Sequence, residues 1–242
     1  QPERARGEEF LTALAAWQPD VLLVASYGEI LRQDVLDLAP LGAWNVHASL
    51  LPRWRGASPI QAAVLAGDAE TGVCVQKMVL ALDEGPLVHT MRTPIGARET
   101  SGDLYTRLAV LGGEAALAAL DLLASGQAVL QPQDATQATY ATKIKKEHGL
   151  VDWTKSAQDI DRLVRAYTPW PGARAIIHEV ELGVLEVEPC ELPAEAEATP
   201  GTCTLTKAGP VVRCGTGALR LVRVKPAGKG AMDGAAWARG LR

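Results

Sequence analysis

Apolar residues first recur at helical spacing along the chain, at Phe10, Leu11, Leu14 and Trp17, which predicts an amphipathic helix over 7–17 closed by Pro19-Asp20. Val21 to Ala25 is a continuous apolar run, the pattern of a strand buried on both faces. A short helix near 34–38 returns the chain to a second strand over 42–47, and a strand–helix–strand unit makes the two strands parallel neighbours. Ser58-Pro59 opens the next helix, with serine as N-cap and proline at the first helical position, and Gly67 stops it. Alternation over 72–79 and the run 87–91 predict two strands flanking a turn, Leu82-Asp83-Glu84-Gly85-Pro86. Thr100 to Asp103 then opens a long Ala/Leu-rich helix that ends near Gly126.

After Gly126 the pattern changes. Residues 127–142 are polar with little periodicity, as in a linker. A short amphipathic helix over 158–167 presents Ile160, Leu163, Val164 and Tyr167 on one face and ends at Thr168-Pro169-Trp170-Pro171-Gly172. Beta-like runs follow over 173–180, 184–187, 201–206, 210–214 and 218–224, separated by Gly/Pro turns and interrupted by the Ala-rich stretch Ala194–Ala198. Short strands at this spacing predict a small β-barrel. The expected organisation is an α/β domain with a Rossmann-like, mostly parallel sheet over 1–126, a linker over 127–142, and an OB-like barrel domain over 143–242.

Composition adds limits. The 242 residues are 48% hydrophobic and 21% charged, with net charge −4, so any surface for nucleic acid has to be local. Cys74, Cys190, Cys203 and Cys214 lack CxxC spacing, which argues against zinc and suits a reducing cytoplasm. No apolar run is long enough to span a bilayer. Gln1-Pro2-Glu3-Arg4 has no signal-peptide pattern and no initiator Met. No heptad appears, and a monomer is expected.

The candidate chemistry lies at strand ends, where ligands bind in open sheets of this kind. Asn45 and His47, two apart on an extended chain, face the same way, with Val46 turned from them. Asp83 is delivered to the same rim by the next apolar strand. A carboxylate beside a histidine fixes the ring and favours its charged form. An imidazolium with an amide NH2 can stabilise an oxyanion, and the carboxylate can take a proton from an attacking amine. Taken singly, the three also suit structural or turn positions. No serine or cysteine has the setting of an activated nucleophile: Ser49 lies near His47, but no nucleophile elbow is present. Direct transfer to an amine is therefore favoured over a covalent acyl-enzyme.

Asn-Val-His-Ala-Ser-Leu-Leu-Pro-Arg-Trp-Arg-Gly-Ala-Ser-Pro-Ile-Gln, starting at Asn45, resembles the signature of the folate-dependent formyltransferases, and Leu82-Asp83-Glu84-Gly85-Pro86 resembles that family's second motif. The similarity runs on through Lys143–Glu147, Val151–Trp153, Arg165–Pro171 and Pro226–Lys229. It implies that Asn45, His47 and Asp83 are the catalytic trio. It implies that 10-formyltetrahydrofolate is a consumed co-substrate, held by Ser49, Leu50, Leu51 and Pro52 and by the backbone of Tyr27, Gly28, Glu29, Ile30, Leu31, Leu80, Ala81 and Leu82. It implies methionyl initiator tRNA as acceptor and no metal, with a sugar-nucleotide acceptor, or an RNA-binding protein with an inactive catalytic domain, as alternatives. It also implies a strand–helix–strand stretch before Gln1 and a few residues beyond Arg242.

Lys143, Lys145, Lys146, Lys207, Arg213, Arg220, Arg223, Lys225 and Lys229 are either a basic track for RNA phosphates or ordinary solvated cations. On the first reading, Glu186, Glu188, Glu191, Glu195 and Glu197 lie elsewhere. Arg53 and Arg55 either hold the tRNA terminus or a folate carboxylate, or make ion pairs within the domain. Trp54 is a candidate for substrate contact. Trp153, Tyr167 and Trp170 suit packing better than base stacking.

Overall fold

A computed structural model describes residues 7–193, 197 and 199–241. The start at Gln1 to Arg4, Ala194, Glu195, Ala196 and Ala198 of the Ala-rich stretch, and Arg242 lie outside them. The chain forms two units: one takes the residues up to Ala63, Ala69–Ile95 and Leu104–Lys143, the other Val64–Asp68, Gly96–Asp103 and the residues from Ile144 onward.

In chain order the elements are α1 (Glu8–Ala15), β1 (Leu22–Ala25), α2 (Gln33–Leu36), β2 (Ala43–His47), β3 (Arg55–Gly56), α3 (Pro59–Ala66), β4 (Glu70–Lys77), β5 (Leu87–Pro94), α4 (Ser101–Ala124) and β6 (Tyr140–Ala141). The first sheet has four strands in the order β1-β2-β4-β5. β1 and β2 are parallel, with Leu23 opposite Trp44 and Val24 opposite Asn45. The expectation of a mostly parallel sheet needs correcting: among the described strands, β2–β4 and β4–β5 are both antiparallel. Apolar runs reveal burial but not direction, which the connections decide. α1 and α2 lay Phe10, Leu11, Leu14, Val35 and Leu36 against Leu22, Val24 and Ala43. On the other side, Val46 faces α4, where a Cβ added to Gly112 would stand 3.3 Å from its Cγ1.

The polar segment 127–142 is built onto this unit. Gln131 exchanges two backbone hydrogen bonds with Leu87, both 2.8 Å, and β6 pairs in parallel with β3.

The second unit holds α5 (Ala157–Ala166), β7 (Ala173–Ile177), β8 (Val180–Cys190), β9 (Cys203–Thr206), β10 (Gly209–Arg213), β11 (Ala218–Pro226), β12 (Met232–Asp233) and α6 (Gly234–Arg239). Its six-stranded sheet runs β7-β8-β11-β10-β9, with β12 added to β11. Every described pairing in it is antiparallel. No pairing among the described residues joins β7 to β9, so these strands make an antiparallel sheet whose ends are not paired to each other. The run read as one strand over 173–180 is a hairpin. His178 and Glu179 both take positive φ, 48° and 62°, the geometry of a tight hairpin turn that usually carries Asn-Gly. Ile160 and Val164 of α5 and Trp237 of α6 pack with Leu182, Val184, Leu219 and Leu221 of the sheet. Trp153 lies against this core and Tyr167 is buried, whereas Trp170 is half exposed.

Residues 96–103 are tied into this unit by charge. Asp161, on α5, accepts from Arg98 at 2.7 Å and from Arg165 at 2.9 Å. Arg98 also donates to the Val187 carbonyl at 2.5 Å, and Ser101 Oγ and Gly102 N both donate to the Thr168 carbonyl. Removing the shared carboxylate strands two cations, one of them largely buried. Asp161→Ala should lose about 3 kcal/mol of stability, read as a lowered urea midpoint at unchanged slope.

Candidate functional site

β2 and β4 pair so that Asn45 lies opposite Gln76 and His47 opposite Cys74. Cross-strand partners point to the same face, and from that face Asn45, His47 and Gln76 reach the turn that carries Asp83. That turn enters through a left-handed residue, Asp83 at φ 52°, a conformation aspartate tolerates better than most residues. It closes on Gly85, where a Cβ would stand 1.6 Å from the Lys77 carbonyl oxygen. Only glycine lets the turn lie on β4 this tightly.

The Asp83 side chain is 13% exposed and is held by two short bonds. Gln76 Nε2 donates to Oδ1 at 2.7 Å and the Gly56 amide donates to Oδ2 at 2.8 Å. Two longer approaches come from the other predicted residues: Asn45 Nδ2 is 3.4 Å from Oδ1 and His47 Nδ1 is 3.8 Å from Oδ2. The first is at the limit of a hydrogen bond and the second beyond it, so neither nitrogen is committed to the carboxylate. The other ring nitrogen is committed: His47 Nε2 is 2.9 Å from the Trp54 carbonyl. A carbonyl only accepts, so Nε2 carries the proton and the ring orientation is set. Trp54 reaches this position at φ 62°, which is rare for a bulky residue and the kind of backbone strain found at functional sites.

Ser49, Cys74, Cys203 and Cys214 all lack the setting of an activated nucleophile. Ser49 is fully buried and its hydroxyl donates to the Arg53 carbonyl at 2.6 Å. Burial pushes the Cys74 thiol above its ordinary value, against a smaller lowering by its bond to Thr90. Burial likewise takes Cys203 and Cys214 up to about 11, so both remain thiols. Among the described residues no group of three or more His, Cys, Asp or Glu converges as a metal site would require, and no helix is long and apolar enough to cross a membrane.

The other predicted residues fall as follows. Tyr27, Gly28, Glu29 and Ile30 form an exposed turn after β1, with Leu31 buried behind it. Leu80, Ala81 and Leu82 are exposed on the approach to Asp83. Leu51 is buried with Ser49, while Leu50 and Pro52 are half-buried. Arg53 is exposed and stacks 4.3 Å over the Trp54 ring. Arg55 needs correcting as an RNA contact. It is 2% exposed, ion-paired to Glu84 at 2.9 Å and bonded twice to Gln133, so its charge is used inside the unit.

In the second unit Lys145, Lys146, Lys225 and Lys229 are exposed, as is Lys143 in the first. Two of the acidic residues do not lie elsewhere: Glu188 pairs with Arg220 and Glu186 is the cross-strand partner of Arg223, while Glu195 lies outside the described residues. Lys225 instead stands opposite Gly183, whose other neighbour is Arg174.

Sequence reasoning missed Gln76, Gln133 and the Trp54 carbonyl. Gln76 had a signal: an amide that directly follows the apolar run Val73-Cys74-Val75 on the same strand must find a partner when buried. Gln133, in a polar segment, had none.

Residues 1–120 match the model of the formyl transferase family, and residues 143–242 match that of the formyl transferase C-terminal domain. The chain belongs to the formyl transferase family. The methionyl-tRNA formyltransferase of Pseudomonas syringae pv. tomato is 48% identical over 231 residues, 95% of this chain and 72% of the relative. That of Aromatoleum aromaticum is 45% identical over 242 residues, 100% of this chain and 75% of the relative. Among solved structures, HypX from Aquifex aeolicus in complex with tetrahydrofolic acid shares the fold, with a TM-score of 0.69 at 20% identity over 94% of this chain and 40% of that one.

The tight seat of the Asp83 turn gives a test. Gly85→Ala must push the turn off β4 and should lower the urea midpoint clearly. Gly113→Ala, in the interior of α4 with open space around it, should instead stabilise by about 0.5–1 kcal/mol.

Proposed function

We propose that this chain transfers the formyl group of 10-formyltetrahydrofolate to the amino group of methionyl initiator tRNA. The observation that carries this reading is the meeting of Asn45, His47 and Asp83 at one rim, with the amide and the Nδ1 side of the imidazole both turned toward a carboxylate that neither fully engages. The amino nitrogen attacks the formyl carbon and the carbonyl π pair moves onto oxygen. Asn45 Nδ2–H and a protonated His47 Nδ1 donate to that oxyanion, typically the largest catalytic contribution in acyl transfer. Asp83 orients His47 and accepts the proton lost by the amine, directly or through water. Collapse of the tetrahedral intermediate breaks the bond from carbon to N10 of the folate, and a proton returns to N10, so no net proton is consumed.

The exposed turn from Tyr27 to Ile30, with Leu31 beneath it, and the residues Leu80, Ala81 and Leu82 are the folate-binding backbone, together with Ser49 to Pro52. Arg53, with the exposed Lys143, Lys145, Lys146, Lys225 and Lys229, contacts tRNA phosphates. Such contacts position the RNA without reading its sequence. The second unit, with α5 and α6 packed on its antiparallel sheet, serves as an OB-like RNA-binding module. Its relatives' names support tRNA over an amino sugar as acceptor.

His47→Ala and Asp83→Asn should each lower the rate of methionyl-tRNA formylation by at least about a hundredfold, with the circular dichroism spectrum unchanged. Normal turnover by either variant would sink the proposal. Lys225→Ala should weaken tRNA binding and reduce the slope of log affinity against log salt by about one.

A further inference from the structure

Asp83 is connected to a buried cation through two glutamines, and chemistry fixes the direction of every bond between them. Arg55 has donors only. Its Nε and Nη2 give hydrogen bonds to Gln133 Oε1 at 3.1 and 2.9 Å, while Nη1 pairs with Glu84. The oxygen of Gln133 must therefore face Arg55 and its NH2 must face the other way. There Nε2 donates to the carbonyls of Asp83 and Gly85, both at 2.8 Å, and approaches Gln76 Oε1 at 3.4 Å. With its oxygen on that side, Gln76 turns its own NH2 to Asp83 Oδ1 at 2.7 Å. An amide can be built either way round, but this one has a donor-only group at one end and a carboxylate at the other. Reversing Gln76 would set its carbonyl oxygen against Oδ1.

We propose that Gln76 and Gln133 are positioning residues for Asp83. Arg55 locks both amides so that Oδ1 meets only donors, and the backbone of the turn is clamped at Asp83 and Gly85. The polar segment after α4 thereby completes the site. This inference rests on the reading of Asp83 as part of the formyl-transfer machinery.

The test is steady-state formylation of methionyl-tRNA by the wild type and by Gln76→Met, Gln133→Met and Gln133→Glu. The methionine variants keep length and lose the amide. Gln133→Glu keeps size and the acceptor for Arg55 but loses the donors. All three should lower kcat, by up to about a hundredfold for a shift of about 1 Å at the reacting groups, and leave both KM values within about threefold. Gln76→Met combined with Asp83→Asn should be no slower than Asp83→Asn alone, because Gln76 acts through Asp83. A purely space-filling role predicts an active Gln133→Glu and additive losses in the double variant, and either result overturns the proposal. Unchanged kcat in both methionine variants of an active enzyme removes this inference alone, whereas an inactive wild type removes the formyl-transfer reading and this inference with it.

Discussion

A carboxylate taken largely out of water must be given donors, and the first unit is arranged around doing that for Asp83. The Gly56 amide and Gln76 hold its two oxygens. Each draws in further structure: Gly56 lies in the β3–β6 pairing, and Gln76 lies in the middle of the sheet, opposite Asn45. Burial of an ionised group without such partners costs several kcal/mol. The short β3–β6 pair, the seating of the polar segment and the glycine beneath the turn are therefore parts of one solution to a single charge. With Gln76 and Gly56 in place, Asn45 and His47 need not satisfy the carboxylate themselves.

Much of this frame was legible in the sequence. The apolar runs located β1, β2, β4 and β5, Ser58-Pro59 and Gly67 bounded α3, and alternation put Asn45 and His47 on one face. Direction was less legible: among the described strands of the four-stranded sheet, only the β1–β2 pair runs parallel, because an apolar run looks the same whichever way its neighbour points. The β7–β8 hairpin was hidden because His178 and Glu179 make a left-handed turn with no glycine or asparagine to mark it. The site was half legible. Polar residues at strand ends stand out against apolar runs, but Gln133 comes from a stretch with no periodicity, and a backbone carbonyl such as that of Trp54 has no sequence signature at all.

Charge in the second unit shows the same limit. Basic residues counted along the chain look like a track, yet Arg220 and Arg223 face Glu188 and Glu186 across the strands, which only the register of β8 on β11 reveals. Lys225 differs because its cross-strand neighbour is Gly183. A count of cations thus overstates the positive surface, and strand register says where it remains.

Trp54 does two things with one residue. Its carbonyl holds the buried His47 ring, and its indole lies under the exposed guanidinium of Arg53. The two belong to adjoining groups on one α-carbon, held at an uncommon φ. Surface and interior therefore share one stretch of backbone here: a rotation of the Trp54 main chain would move both the indole under Arg53 and the carbonyl that aims the imidazole.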